Sequence, residues 1–295
     1  MVGASLISRR RIPPPYRSLT HRVIAMNSGI NVARIRNIGA AYIAEARINQ
    51  MSKWKGIIAI VAIGNPLFYL IAIGIGVGVL VNQNSGTAGT GGVEYITFIA
   101  PALLASAALT GAMDETMFPV MEGFKWRKLF FAMNATPITG AQIALGVFMA
   151  AMLRVAFTVI CYWVLLVAFG VVTISQSWDV VPITMFAAGA FGATIMAVTA
   201  KVKNEDYFMT VLGRLIIMPM FLFSGTFFPL TNMPIYLQPI GWISPLWHAT
   251  ELGRHFSYGY PVSFWMLVIH FGYLATMLSV GLTIAQNTFT ERLAR

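Results

Sequence analysis

Six apolar stretches, each long enough to cross a bilayer, constrain this chain more than any other feature. They run over Ile57–Val81, Tyr95–Met113, Gly146–Phe169, Val181–Ala200, Phe208–Phe228 and Ser263–Ala285. A helix needs about 20 apolar residues to traverse a hydrocarbon core ~30 Å thick, and none of the six alternates in the manner of a membrane barrel strand. Only 10% of residues are charged, against about 25% in soluble domains, so soluble globular and disordered chains are both excluded. Cys161 is the single cysteine, which excludes an intrachain disulfide and cysteine-based zinc or iron–sulfur sites.

The net charge of +10 points to nucleic acid or to one side of a membrane, and the positions of the basic residues decide. Of the 20 Lys and Arg, 17 lie before the first stretch, between the second and third (Lys125, Arg127, Lys128), after the fourth (Lys201, Lys203) or after the sixth (Arg292, Arg295). The intervening loops at Asn82–Glu94 and Gly170–Val180 have none, and Pro229–Val262 has only Arg254. By the positive-inside rule both termini are cytoplasmic, and the basic excess orients the chain in a cell membrane rather than binding nucleic acid.

Residues 1–30 form a basic tail, expected to be disordered. It is broken by Pro13, Pro14 and Pro15, it has no signal-peptide apolar run, and Met26 offers an alternative start. Over 31–56 an amphipathic helix is expected, with Ile35, Ile38, Tyr42, Ile43 and Ala46 on one face and Arg36, Asn37 and Arg47 away from it. It either lies in the interface or stands as a solvated juxtamembrane helix held by anionic lipid. The six-span domain then occupies 57–285 and a cytoplasmic tail 286–295.

Two arginines fall within the spans. Arg154 lies about five residues, roughly 7–8 Å, above the inner boundary, and Arg214 has a similar depth. Each can snorkel or serve as a substrate-gate or headgroup contact, and Arg154 can also pair with Asp114 or Glu115 at the inner end of span two. No carboxylate is expected at mid-membrane and His270 stands alone in span six, which weighs against ion-driven transport. The glycine-rich Asn84–Gly92 lacks GxxxxGK[ST] spacing, and no Walker-type motif occurs elsewhere. ATP hydrolysis through a P-loop is therefore not a property of this chain, and it calls for no cofactor of its own.

Between spans two and three, the segment holding Phe118, Pro119, Glu122, Phe124, Lys125, Trp126, Arg127 and Lys128 interleaves two aromatic with three basic residues over Phe124–Lys128, the pattern of a short interfacial or partner-docking helix. From Pro137 a helical run reaches Phe169, longer than one crossing, so its first turns are expected to project into the cytoplasm. The segment 229–262 is apolar but broken by Pro229, Pro234, Pro239, Pro245 and Pro261. It suits short re-entrant or interfacial helices. His248, Glu251 and His255 share a helical face within it. That face serves either metal or acid–base chemistry, although the spacing is not HExxH, or an external polar surface of His248, Glu251 and Arg254 with Glu251–Arg254 pairing.

Several of these runs carry a family resemblance. Phe223-Ser-Gly-Thr-Phe-Phe-Pro-Leu-Thr-Asn-Met-Pro234, Ile243-Ser-Pro-Leu-Trp-His and Glu251-Leu-Gly-Arg254 resemble the signature closing the fifth span of type-2 ATP-binding-cassette permeases. Ala100-Pro-Ala-Leu-Leu-Ala-Ser106, Phe118-Pro119, Gly123-Phe-Lys-Trp-Arg127 and Ala135-Thr-Pro-Ile138 are similar to the daunorubicin-resistance and nodulation-factor export permeases of that family. One departure is Pro101-Ala102, where Pro-Gly is expected.

The resemblance covers about residues 30–290. It implies an all-α half-transporter with an interfacial helix, six transmembrane helices, a coupling helix at 118–130 and re-entrant external helices after span five. It further implies an external gate at Phe223, Gly225, Phe227, Phe228, Pro229 and Pro234, pairing with a second permease, and docking on a separate ATPase subunit that binds ATP and Mg. The cargo would be an amphipathic drug, lipid or glycolipid. The other readings are a lipid-modifying membrane enzyme using His248, Glu251 and His255, and a membrane component that only anchors partners.

Overall fold

A computed structural model describes residues 32–85, 90, 92–202 and 207–294, and the expected N-terminal tail lies outside them. The described residues form helices and no strand. Helix α1 (Val32–Ser52) leads into α2 (Lys55–Tyr69), which continues through wide π-helical turns at Leu70–Val77 into α3 (Gly78–Ser85). Helix α4 (Tyr95–Met121) ends in a π-helical turn at Glu122–Trp126. There follow α5 (Leu129–Asn134), α6 (Gly140–Ala168), α7 (Ile174–Ser177) and α8 (Val180–Lys201). Helix α9 (Phe208–Val211) runs through Leu212–Ile217 into α10 (Met218–Phe223), and α11 (Gln238–Ile243), α12 (Pro245–Tyr258) and α13 (Phe264–Leu293) complete the chain.

Among the described residues five helical segments are long and apolar enough to cross a membrane: Lys55–Gln83, Tyr95–Trp126, Gly140–Ala168, Ile174–Lys201 and Phe264–Leu293. The fifth expected span is shorter than its sequence suggests. Its helix covers Phe208–Phe223, about 24 Å at ~1.5 Å per residue. It stops because Ser224 leaves helical geometry and Gly225 takes the left-handed φ of +69°, a conformation open to glycine at little cost.

Of the five long apolar segments, those containing α4 and α8 are the most buried, and both helices are rich in small buried residues. Ala100, Ala105, Ala108 and Ala112 of α4 and Ala187 and Ala190 of α8 lie buried in one core, and a Cβ on Gly192 of α8 would come 3.2 Å from the Ala112 Cβ. With helices this close, dispersion contacts accumulate across the whole length. Helix α13 crosses α8 where a Cβ on Gly281 would come 2.8 Å from the Thr194 amide nitrogen, so only glycine permits that approach. Ala102, the departure from the family pattern, is fully buried and α4 runs through it without interruption.

Helix α1 packs on the start of α6 through a strip that shares Ile43 with the expected apolar face. Ile38, Tyr42 and Ala46 point outward, whereas Gly39, Ile43 and Ala44 are buried. The contact is set by Gly146, whose absent Cβ leaves room for the Ala40 carbonyl and the Ile43 side chain. Arg47, expected to face away, turns inward to Glu122 at 3.0 Å. Helix α6 begins at Gly140 rather than Pro137, because Thr139 and Gln142 form a capping box that satisfies two free amides. The tail expected from 286 is the end of α13, with Phe289 and Leu293 in a core shared with Phe124, Phe130 and Ile143.

Candidate functional site

A cavity of about 380 Å³ opens between α2, α4, α6 and the 212–223 helix. Its apolar walls include Leu103, Val155, Ile217, Met220 and Phe221, and among them stand Asn65, Ser106, Asp114, Glu115, Arg154 and Tyr162. The two carboxylates reach it because α4 does not end near them. The sequence places Asp114 and Glu115 at the inner end of a span closing at Met113, yet the helix runs on to Met121 and its π turn to Trp126. Asp114 therefore sits about 12 residues, or ~18 Å, inside the helical segment.

Arg154 faces this cavity from α6. Its Nη1 donates to Thr158 Oγ1 at 2.7 Å, and its Nε lies 3.9 Å from Glu115 Oε1, which is the expected carboxylate pairing in a loose form. Arg214 is placed differently. It is exposed on the outer side of the 212–217 turns, beside the exposed Leu215 and Ile216, and takes no part in lining the cavity. The two arginines that look alike in sequence thus have opposite settings.

The expected docking helix at 118–130 is not one helix. Helix α4 runs to Met121, the π turn follows, and the chain breaks at Lys128, a non-glycine residue with φ +53°, before α5 begins at Leu129. Phe118, Trp126, Arg127, Lys128, Leu129 and Phe131 are exposed, Lys125 and Glu122 are half-buried, and Pro119 is buried. Phe124 turns inward and is only 4% exposed. It packs edge-on against Phe130 and Phe289 at 5.0 and 4.7 Å between ring centroids, with the Arg292 guanidinium 4.3 Å over its other face. Glu122 binds Arg47 at 3.0 Å and Arg127 at 3.4 Å, so the segment is tied to both α1 and α13.

At the opposite end, the last residue of α10 and the turn after it carry the residues expected to form a gate. Phe223, Phe227 and Pro229 are half-buried, Phe228 and Pro234 are exposed, and Gly225 is buried at its positive-φ position. Arg254 holds this turn. Its Nη2 donates to the Gly225 carbonyl at 2.8 Å and to Thr226 O at 3.3 Å, while Nε donates to Phe98 O at 3.2 Å. Its Nη1 pairs with Glu251 at 3.2 Å, and the guanidinium lies 3.7 Å over the Phe98 ring.

The surface expected at His248, Glu251 and Arg254 is thus turned into the protein, although the expected Glu251–Arg254 pair is present. Burial pushes the Glu251 carboxyl up, and the Arg254 charge and hydrogen bond act against it. Gly253 allows the packing, since a Cβ there would meet Pro101 of α4 at 3.0 Å.

His248 is also buried, and His270 does not stand alone. Their Nδ1 atoms are 2.7 Å apart, and His248 Nε2 lies 3.0 Å from the Trp242 carbonyl. The carbonyl can only accept, so His248 carries its proton on Nε2 and accepts at Nδ1 from the Nδ1–H of His270. Burial pushes the His248 imidazole down to about 4, and its ring stacks on Tyr273 at 4.1 Å.

His255 instead bonds the Tyr260 carbonyl at 2.8 Å. The three side chains expected on one face therefore have separate partners. Among the described residues no three His, Cys, Asp or Glu gather to hold a metal ion.

Comparison with known proteins follows the same geometry. Nodulation protein J of Rhizobium leguminosarum bv. viciae is 27% identical over 269 residues, covering 90% of this chain and all of that relative. The bv. trifolii protein of the same name is 28% identical over 91% of this chain and 100% of its own length. The "Probable multidrug ABC transporter permease YbhR" of Escherichia coli (strain K12) is 26% identical over 170 residues, which are 55% of this chain and 44% of that protein. The family model for the ABC-2 type transporter matches residues 42–256, from α1 through α12 and including the cavity, the 118–131 segment and the Arg254 clamp. A multi-pass helical membrane protein matched over most of its length in this way belongs to the ABC-2 type transporter family.

Proposed function

We propose that this chain is the permease subunit of an ATP-driven exporter that moves an amphipathic drug, lipid or glycolipid out of the cytoplasm or inner leaflet. A separate ATPase subunit powers it, and a second permease pairs with it. The observation that carries the reading is the cavity holding Asp114, Glu115 and Arg154 within an otherwise apolar bundle. Ligand sites combine apolar walls with a few placed polar groups in this way. The name of the Escherichia coli relative supports the same class.

The exposed surface of Phe118, Trp126, Arg127, Lys128, Leu129 and Phe131 is the face offered to the ATPase, on the cytoplasmic side by the distribution of basic residues. Movement of that surface passes to α1 through Glu122–Arg47 and to α13 through Phe124–Phe289. At the other end the Arg254-clamped turn forms the gate, and the two arrangements of the bundle differ in which end the cavity meets. Proteoliposomes containing the permease and its ATPase subunit should take up a fluorescent amphiphile only with ATP. Full transport by the permease without an ATPase subunit overturns the reading.

A further inference from the structure

We propose that the cavity receives the cationic end of its cargo: an ammonium-bearing head seated against Asp114, with the apolar body lying along Leu103, Val155 and Phe221. The inference rests on the exporter reading and specifies the charge of what is exported. Three charged side chains line the cavity, Asp114, Glu115 and Arg154, which gives it one more negative than positive group. Arg154 pairs with Glu115 at 3.9 Å and donates through Nη1 to Thr158, while its buried Nε has no hydrogen-bond partner. Asp114 has no ion pair or hydrogen bond among the described residues, and it neighbours a second carboxylate on the same helix. A carboxylate among apolar walls is costly unless a cation meets it.

A second and independent observation lies across the same space. Tyr162 is 1% exposed, lines the cavity, and its hydroxyl has no hydrogen-bond partner. The Ser106 hydroxyl, also on the lining, is likewise buried without a partner. Each hydroxyl oxygen accepts hydrogen bonds, so the cavity holds three groups able to accept from an N–H donor and one uncompensated charge. The rings of Tyr69 and Phe221 on the lining add faces that attract cations. An anionic head would gain the Arg154 Nε donor but stand against two carboxylates, and a neutral one would leave Asp114 without a counter-charge. The volume of 380 Å³ lies in the range of sites for small molecules, about 300–1,000 Å³.

The test uses the full chain in nanodiscs of phosphatidylcholine, with protein-free nanodiscs as the partition baseline. The probes are a dansyl-tagged dodecylammonium, its N-acetylated neutral form and the matching carboxylate. The wild-type protein should bind the ammonium at least about tenfold more tightly than the acetylated probe, and the carboxylate weakest. Asp114→Asn should abolish that preference while Asp114→Glu keeps part of it. Tyr162→Phe, which preserves the buried ring, should weaken ammonium binding more than amide binding. Equal binding of ammonium and acetylated probes by wild type overturns the proposal without needing any variant, and so does a preference that survives Asp114→Asn. Either result would leave ATP-driven transport of a neutral amphiphile intact, so failure here and failure of the exporter reading are separable.

Discussion

Arg254 directs its guanidinium at four acceptors drawn from three parts of the fold: Phe98 on α4, Gly225 and Thr226 in the gate turn, and Glu251 one turn back on α12. It is 0% exposed, and a buried charge is tolerable only when so fully satisfied. Replacing it with alanine would leave Glu251 and three carbonyls without this donor in the interior. Arg254→Ala should therefore lower stability by about 3–5 kcal/mol, the usual cost of breaking a buried pair, read as a lower unfolding temperature in detergent. Arg254→Lys should recover less than half of that loss, because a single ammonium cannot reach Phe98 O and Gly225 O as a planar fork does. A lysine variant as stable as wild type would count against the fork.

Only part of this hub is legible from the sequence. The Glu251–Arg254 pair follows from i, i+3 spacing, but Phe98 lies 156 residues from Arg254 and is brought to it only by the packing of α12 on α4. The His248–His270 contact spans 22 residues and the α12–α13 corner, so a lone histidine in an apolar run gives no sign of its partner. The polar residues of α12 look solvent-facing because local patterning registers charge and not what the charge meets.

At the scale of elements, the docking segment shows the same division. Aromatic and basic residues interleaved after Pro119 mark a surface feature, and Trp126 with its neighbours is exposed as that pattern implies. What the pattern does not reveal is the break at Lys128, which directs Phe124 into a core and leaves Trp126 51% exposed. The two aromatic residues should then fail differently when shortened. Phe124→Ala removes a ring held between Phe130, Phe289 and Arg292 and should destabilise by about 3–5 kcal/mol. Trp126→Ala should leave the unfolding temperature near that of wild type but reduce ATP-coupled transport, with ATPase activity persisting uncoupled. A Trp126→Ala complex that transports at the wild-type rate would remove the residue from the docking surface.

Helix boundaries follow a related logic. Apolar length alone places the spans within a few residues, but it ends span two at the charged pair Asp114–Glu115, whereas Arg154 from α6 and the surrounding bundle allow α4 to continue past them. It also overextends span five, because Phe227 and Phe228 read as lipid-facing although Gly225 has already turned the chain.

For the whole molecule, the arrangement of charge and the shape of the bundle make one joint statement about orientation. Lys125, Arg127, Lys128, Lys201 and Arg292 gather at one end with α5 and the last turn of α13, whereas the Arg254 hub at the other end buries its single basic residue. A basic end resists translocation, and the K/R bias of short loops sets topology. Lys128 should therefore face the cytoplasm and Thr231, exposed beside the gate turn, the outside. Cys161 is the native thiol and is half-buried, so it is first replaced by Ala to give a silent background. A cysteine introduced as Thr231→Cys should react with a membrane-impermeant maleimide on intact cells, and Lys128→Cys only after permeabilisation. If both positions react from outside, the odd number of crossings between them, Gly140–Ala168, Ile174–Lys201 and Phe208–Phe223, fails along with the short 208–223 helix as a span. If the pattern is reversed, the basic end is external and the ATPase-docking surface must be sought elsewhere. The expected labelling requires Phe208–Phe223 to carry the chain across despite its length of about 24 Å, which a bilayer accommodates by local thinning and by the flanking aromatic residues Tyr207 and Tyr236, both exposed.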